Sequence, residues 1–349
     1  METRIVKIDE NHIDKGLMEE AVEIIKKGGL VAFPTETVYG LGANGLDEEA
    51  VGKNFQAKGR PQDNPLILHV HSTQQVKELV LEIPEIARIC MEKFWPGPIT
   101  FLLKRSQIVP DIITAGLDTV AIRMPENKIA LELIRMANTP IAAPSANISG
   151  RPSPTSANHV IDDLMGKVHM IIDGGKTGVG LESTVLDLSG DLPMILRPGG
   201  VTKEELSQII PNIAIDSSIM REGEGIVPKS PGQKYRHYAP KAEMIVYNGE
   251  IHSIVEAIRD NTKRYKEIGK SVGIICTDET KDLYTHGYII SMGSRKNKET
   301  IARNLFNILR TLDGKEIDII LAEGVELSDL GIAIMNRMMK AASGNVIDV

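Results

Sequence analysis

The first part of the chain alternates between two hydrophobic spacings, one typical of helices and one typical of strands. Apolar residues recur at helical spacing from Ile13 to Ile25 and end at a glycine pair, which predicts a helix over 11–28. Asp47 stands where a helix N-cap is expected, and further helices are predicted over 47–57, 84–94, 127–138 and 155–164. Short apolar runs predict strands at 30–36, 65–70, 99–104, 119–124, 140–145, 168–173 and 183–188.

The spacing between these strands is irregular, which predicts an α/β domain with a twisted mixed sheet flanked by helices rather than a regular doubly wound one. The hydrophobic pattern fades over 212–241 and then returns as a clean alternation, which predicts a smaller Rossmann-like α/β domain. Its strands are predicted at 242–247, 271–276 and 317–322, and its helices at 250–268, 298–312 and 331–342. The sequence therefore predicts a first domain over 1–211, a linker over 212–241 and a second domain over 242–349.

Charge and composition narrow the function classes. The chain has 349 residues and a net charge of -7, so a binding site for phosphates has to be a local patch rather than a general basic surface. Its two cysteines, Cys90 and Cys276, form no CxxC motif, which argues against structural zinc and fits a reducing cytoplasm. The beginning of the chain lacks the apolar core of a signal peptide, and no apolar run approaches the roughly 18 residues of a membrane span. These features predict a cytoplasmic protein without a membrane segment.

Three motifs are similar to known binding sites, but each lacks support from its surroundings. GLGANG at 40–45 satisfies the pattern of a dinucleotide-binding loop, yet a lone match is weak and a proline interrupts the preceding strand. DGGKTG at 173–178 ends like a P-loop but has Met170 where the first glycine belongs. His69 and His71 point to one face of a predicted strand, without the third ligand that a zinc site needs. We therefore expect no protein metal site.

Polar side chains gather where predicted strands end. TETVY at 35–39 follows a strand and precedes a glycine turn, and strand ends are where α/β sheets bind ligands. Lys58 and Arg60 lie in a loop restrained by glycine and proline, which favours a shaped anion site over a solvated surface. Arg123 is the one charge in an apolar strand, and its partner is either a structural carboxylate or a substrate.

The remaining candidate site residues are hydroxyl side chains and residues next to glycine turns. The turn over 144–153 is rich in serine and can cradle phosphate oxygens, Ser183 opens a strand after several glycines, and Arg197 precedes a glycine pair. A Ser–His–Asp or Cys–His arrangement is not apparent. The sequence therefore predicts a site that positions anions and stabilises developing charge, without a covalent nucleophile.

In their order and spacing, the segments FPTETVYGLG, KGRPQDNPLILHV, WPGP, VAIRMP, APSANISGRPSPT, ESTVLDL and LRPGG resemble the YrdC-like threonylcarbamoyl-AMP synthases. SPGQKYRHYAP at 230–240, followed by a unit that ends in GIAIMNRMMKAAS, is similar to the two-domain members of that family. The resemblance implies a nucleotidyltransferase that converts L-threonine, bicarbonate or CO2, and ATP into threonylcarbamoyl-AMP and pyrophosphate. A downstream transferase machinery would then modify the tRNA adenosine next to the anticodon.

The resemblance also implies roles for the residues at matching positions. The threonine site would consist of Thr37, His69, Arg123, Ala143 through its backbone, and Ser183. The ATP site would consist of Lys58, Arg60, Asn64, Thr119, Ser145, Asn147, Ser153 and Arg197. Lys58 and Arg60 would stabilise charge during the reaction, Arg123 would bind the threonine carboxylate, and Mg2+ would arrive with the ATP phosphates.

The predicted linker carries cations interleaved with aromatic rings, which can hold phosphates and stack on a base. These residues are Lys234, Tyr235, Arg236, His237 and Tyr238. Flanking prolines reduce the conformational freedom of the segment, which lowers the cost of ordering it. We expect it to form a lid that excludes water from the labile carbamate and adenylate.

Two other functions stay open at this point. A non-catalytic protein that binds tRNA or double-stranded RNA could use the same basic concavity, and weak RNA affinity could coexist with catalysis. A nicotinamide-dependent oxidoreductase could be built on GLGANG. The second domain lacks a glycine-rich loop after its first strand, so we expect a regulatory, docking or site-covering role for it.

Overall fold

The structure, a computed structural model, describes residues 1–220 and 238–349. These residues belong to two compact units, the first within residues 1–219 and the second including residues 238–349. Within the described ranges, no helix is both long enough and apolar enough to cross a membrane.

The first unit is built around one mixed sheet. Its strands are β1 (Arg4–Lys7), β2 (Val31–Phe33), β3 (Gly40–Asn44), β4 (Ile67–His69), β5 (Ile99–Lys104), β6 (Thr119–Arg123), β7 (Ile141–Ala142), β8 (Met170–Asp173), β9 (Thr184–Asp187), β10 (Met194–Arg197) and β11 (Ala214–Ile215). Its helices are α1 (Lys15–Lys26), α2 (Glu48–Lys58), α3 (Thr73–Leu79), α4 (Glu85–Phe94), α5 (Asp111–Thr114), α6 (Lys128–Ala137), α7 (Ala157–Leu164) and α8 (Lys203–Ser207).

The sheet order is β1-β8-β2-β3-β7-β4-β6-β5-β9-β10-β11, and parallel neighbours such as β4 and β6 alternate with antiparallel ones such as β5 and β6. The prediction of a mixed sheet is confirmed. Helices α1 and α6 pack together and contribute to one hydrophobic cluster with β2 and β8. A larger cluster joins α3 and α4 to β4, β5 and β6.

Local signals explain several element boundaries. Asp47 caps α2 by accepting hydrogen bonds from the backbone of Glu49 and Ala50, and Gly59 ends the helix in the left-handed conformation. The strand predicted over 30–36 ends at Phe33, because the next residue, Pro34, has no N–H to donate to a sheet. The helix predicted over 11–28 is observed as α1 over Lys15–Lys26, and several predicted strands differ from the observed ones by a few residues at their ends.

The GLGANG motif forms strand β3 rather than a nucleotide-binding turn. β3 pairs antiparallel with β2, so the motif does not join a strand to a helix as a dinucleotide fingerprint must. A Cβ on Gly42 would come within 2.8 Å of the Phe33 ring and 2.9 Å of Ile141. This glycine therefore serves close packing inside the sheet.

The second unit contains a five-stranded parallel sheet in the order β14-β13-β15-β12-β16. Its strands are β12 (Glu243–Asn248), β13 (Val272–Cys276), β14 (Tyr288–Ser291), β15 (Ile319–Glu323) and β16 (Val346–Asp348). Its helices are α9 (Ile251–Glu267), α10 (Lys298–Asp313) and α11 (Leu330–Ala341). The Rossmann-like α/β prediction is confirmed, although the sequence pattern missed the two edge strands β14 and β16.

The carboxyl ends of β13 and β15 are occupied by an internal network around the fully buried Glu323. One carboxylate oxygen of Glu323 accepts from Tyr284 at 2.6 Å, and the other accepts from the Thr277 hydroxyl and the Arg295 guanidinium, both at 3.0 Å. Ligands of parallel sheets bind at carboxyl ends of strands. Here the second unit fills that position with its own side chains.

Candidate active site

One register row of the mixed sheet carries several of the candidate side chains. His69 of β4 pairs with Arg123 of β6, and Arg123 pairs with Thr100 of β5. Thr100 pairs with Val185 of β9, which in turn pairs with Arg197 of β10. Because directly paired residues point to the same face of a sheet, His69, Arg123 and Thr100 lie side by side. The register shifts just before Arg197, whose guanidinium joins the group by donating to the Ser183 hydroxyl.

Arg123 is the centre of this row and is only 4% exposed. Its Nη1 donates to the Thr37 hydroxyl at 2.9 Å, and its Nη2 donates to Oε1 of Glu36 at 2.5 Å. The other carboxylate oxygen of Glu36 accepts from the backbone N–H of Glu126 at 3.1 Å. The buried Nε of Arg123 has no hydrogen-bond partner. In the protein alone, the carboxylate partner of Arg123 is structural, and its pairing with a substrate carboxylate stays a prediction.

His69 is a neutral imidazole next to this guanidinium. It is 3% exposed, and burial together with the charge of Arg123 lowers its pKa from 6.5 to about 3. Its Nδ1 is buried and makes no hydrogen bond, and the Phe33 ring lies edge-on at 6.3 Å. The imidazole therefore stays uncharged at physiological pH and retains an unused polar atom.

The Ser183 hydroxyl is fixed between two neighbours from the row. Its Oγ lies 2.7 Å from Oγ1 of Thr100 and accepts from Nη2 of Arg197 at 3.1 Å. Nε of Arg197 also donates to the Ser183 carbonyl at 3.0 Å. Ala143 lies on the opposite flank of His69, where its N–H donates to the Ile67 carbonyl of β4 at 3.1 Å.

Lys58, at the last turn of α2, is held beneath the serine-rich turn. The side chain is 2% exposed, and its ammonium donates to the carbonyls of Ser145 and Asn147, the latter at 2.5 Å. The amide oxygen of Asn147 lies at 3.4 Å from the same ammonium. The Ser149 N–H donates back to the Lys58 carbonyl at 2.9 Å. Lys58, Ser145 and Asn147 thus form one compact cationic group.

Arg60, Asn64 and Thr119 lie toward the opposite ends of β4 and β6. The Arg60 guanidinium donates to the carbonyls of Asn64 at 3.3 Å and Pro65 at 3.1 Å. Thr119 opens β6, on the same face as Arg123 and roughly 13 Å from it at the usual rise of a strand. Thr119 therefore lies away from the predicted threonine residues along its strand, whereas Arg197, another predicted ATP residue, contacts Ser183 of the predicted threonine site.

Ser153 donates from its hydroxyl to Oε1 of the buried Glu182 at 2.5 Å. The next residue, Pro154, accepts at 2.8 Å from the backbone N–H of Tyr39, in the turn that also carries Thr37. The serine-rich segment is thereby tied to the strand-end segment at 35–39.

The structure thus brings Thr37, His69, Arg123, Ser183 and Arg197 into one connected set, while their contacts with ligands stay predictions. Of the predicted lid, Lys234, Tyr235, Arg236 and His237 lie outside the described residues. Tyr238 is described: its ring packs at 5.0 Å from that of Phe306 in the second unit.

Three residues of the site are absent from the set that the sequence predicts. Glu36 is visible in the motif at 35–39, but the sequence does not show that it faces Arg123. Thr100 interrupts an apolar strand in the same way as Arg123 does, and this signal could have identified it. Glu182 precedes Ser183 and carries no sequence signal of its own.

The site residues form no evident metal centre. Across residues 1–220 and 238–349, no group of three or more His, Cys, Asp and Glu side chains is arranged to hold a metal ion.

Comparison with known proteins places this chain in a family. The family described as "Telomere recombination" matches residues 23–199, and the one described as "Threonylcarbamoyl-AMP synthase, C-terminal domain" matches residues 201–343. A threonylcarbamoyl-AMP synthase from Pyrococcus abyssi is 50% identical over 99% of this chain and 100% of its own length. One from Bacillus subtilis is 45% identical over 97% of this chain and 96% of its own length.

A solved structure agrees with the sequence matches over the whole chain. The crystal structure of P. abyssi Sua5 complexed with L-threonine superposes with a TM-score of 0.93 at 48% identity and covers 100% of both chains. The two family matches adjoin each other along the chain and leave few residues outside them. The chain belongs to the two-domain threonylcarbamoyl-AMP synthase family.

Proposed function

We propose that this chain is an L-threonylcarbamoyladenylate synthase, which forms threonylcarbamoyl-AMP and pyrophosphate from L-threonine, bicarbonate or CO2, and ATP. The observation that carries the proposal is the register row His69–Arg123–Thr100–Val185–Arg197. Full-length similarity to named synthases, and to a Sua5 structure complexed with L-threonine, supports the same reaction.

The threonine end of the reaction uses the row itself. Arg123 binds the α-carboxylate, while Thr37 and Ser183 offer hydroxyls whose positions are fixed by hydrogen bonds. The neutral His69 accepts or donates a hydrogen bond without adding charge. The ammonium of bound threonine first loses one proton to solvent. The free amine then attacks CO2, a new N–C bond forms as one C=O bond becomes C–O−, and a second proton leaves the nitrogen to give the carbamate.

The nucleotide end uses the cations. Lys58 and Arg60 face the phosphates, with Asn64, Thr119, Ser145, Asn147, Ser153 and Arg197 as further ATP contacts. A carbamate oxygen attacks the α-phosphorus, the bond to the bridging oxygen breaks, and pyrophosphate leaves. Neither step needs a protein nucleophile, so the protein contributes by positioning the reactants and stabilising charge.

Mg2+ fits this site as a companion of ATP. The described residues contain no carboxylate cluster that would bind the ion alone, so phosphate oxygens would supply most ligands, with the Asn147 amide as a neighbouring oxygen. When bound, the ion neutralises phosphate charge.

The adenylate is a labile intermediate, which implies a consumer nearby. We propose that a cytoplasmic tRNA threonylcarbamoyl transferase takes the group for the adenosine next to the anticodon. Two buried free thiols, Cys90 and Cys276, are compatible with a reducing compartment.

The proposal is tested by pyrophosphate release from ATP in the presence of bicarbonate. Release should depend on L-threonine, and L-serine should support it much less well. Equal release with serine, or without an amino acid, would contradict the proposal. Arg123→Ala should raise the KM for threonine steeply while the exposed Arg88→Ala, a matched loss of one arginine on α4, should leave it unchanged.

A further inference from the structure

The charge balance around Arg123 constrains what can bind there. Arg123 and Glu36 form an ion pair in which the side chains are only 5% and 11% exposed. The neighbouring His69 is uncharged, and Nη1 of Arg123 donates to the neutral Thr37 hydroxyl. The charge of Arg123 is therefore already balanced by Glu36 before a substrate arrives.

Glu36 is fixed in place rather than free to move aside. One of its carboxylate oxygens contacts Nη2 of Arg123, and the other accepts from the backbone N–H of Glu126. Its own carbonyl accepts from the N–H of Val179 at 2.8 Å. A ligand carboxylate that meets the Arg123 guanidinium would therefore lie beside the Glu36 carboxylate.

A ligand with only a negative charge would place a second carboxylate beside Glu36 at one guanidinium, and a buried charge without its own partner is costly. A zwitterion restores the balance, because its ammonium adds a positive charge within the few ångströms that separate the α-amine of an amino acid from its carboxylate. A carboxylate within about 4–6 Å of an ammonium stabilises its charged form.

We propose that Glu36 is a specificity-determining residue, which makes the pocket at Arg123 select a zwitterionic amino acid by attracting its ammonium while Arg123 binds its carboxylate. The proposal rests on the proposed use of threonine as substrate. It assigns the discrimination between an amino acid and a simple carboxylate to a residue outside the set predicted from the sequence.

The test compares two ligands that differ at one group. L-threonine and 2,3-dihydroxybutanoate, in which a hydroxyl replaces the ammonium, are titrated calorimetrically into the full chain. Wild type should bind threonine much more tightly. Glu36→Gln should weaken threonine binding by about thirtyfold and leave 2,3-dihydroxybutanoate binding equal or tighter, so that the preference largely disappears.

Two variants serve as controls. Glu126→Gln removes the same charge from an exposed neighbour whose side chain does not contact Arg123, and it should leave both affinities unchanged. Glu36→Asp keeps the charge and should retain the preference for threonine even if both affinities fall.

An equal loss of affinity for both ligands in Glu36→Gln would overturn the proposal, because it would mean that Glu36 only holds Arg123 in position. If Glu36→Gln does not fold, loss of the preference in Glu36→Asp would overturn it as well, and a retained preference would support it. Failure of wild type to bind threonine would instead reject the proposed function, so the two failures are distinguishable.

Discussion

Replacing Arg123 by methionine separates its structural contribution from its role in binding. The substitution removes one member of a buried pair and leaves the Glu36 carboxylate, 11% exposed, without its cation. Breaking such a pair costs about 3–5 kcal/mol, because a buried charge is left uncompensated. We expect Arg123→Met to lower the free energy of unfolding of the first unit by about 3 kcal/mol, since the carboxylate keeps some access to water.

The double variant Arg123→Met with Glu36→Gln should recover most of this stability. Replacing both partners of a buried pair is often neutral, because no unpaired charge remains. Threonine binding should stay lost in the double variant, since the guanidinium is absent.

Urea denaturation followed by tryptophan fluorescence measures the free energy of unfolding directly. Trp95 is the only tryptophan, and its half-buried ring packs on Phe101 at 5.0 Å against the core of the first unit, so its signal reports that unit. The reasoning would be refuted if Arg123→Met unfolded at the same urea concentration as wild type. It would equally fail if the double variant regained the wild-type KM for threonine.

Further predictions concern the packing and protonation of the row. Thr100→Val removes the 2.7 Å contact to Ser183, so the KM for threonine should rise about 5- to 30-fold, the equivalent of ~1–2 kcal/mol; an unchanged KM would contradict this role. The depressed pKa of His69 means that the unfolded chain binds one more proton than the folded chain between pH 3 and 6.5. The free energy of unfolding should therefore fall as the pH drops below 6.5, by up to ~1.4 kcal/mol per pH unit, and His69→Gln should flatten this slope in urea titrations. Gly199→Ala would place a Cβ 2.3 Å from a backbone nitrogen of β9 and should destabilise by at least about 1–3 kcal/mol with loss of activity, whereas Gly190→Ala, with no atom within 4 Å, should behave as wild type in both assays.

The sequence predicted the main elements well where hydrophobic spacing was regular. The strand at 99–104 matches β5 in full, and the helix predicted over 84–94 matches α4 to within one residue. Short edge strands such as β1, β11 and β16 bury little apolar surface, so their sequences carry no clear alternation. The glycine-rich β3 was missed for a different reason. Close packing against Phe33 and Ile141 requires glycine at position 42, whereas the strand propensity of glycine is low.

The site could be predicted only as far as local motifs reach. Lys58, Arg60 and Arg123 stand out in the sequence because a charged side chain in a restrained loop or an apolar strand indicates a charged partner or ligand. Register is what joins His69, Thr100 and Arg197, since these residues are far apart along the chain and meet only through strand pairing. The pairing of Glu36 with Arg123 likewise depends on where the turn after β2 meets the end of β6.

The central claim is tested most directly by following carbon from bicarbonate into the adenylate. The full chain is incubated with ATP, L-threonine and 13C-labelled bicarbonate. The nucleotide products are then separated, and their masses are measured by mass spectrometry. The account predicts a threonine-dependent adenylate that carries the label, formed in step with pyrophosphate. AMP and pyrophosphate appearing without a labelled adenylate, or a labelled product that forms equally well without threonine, would contradict it.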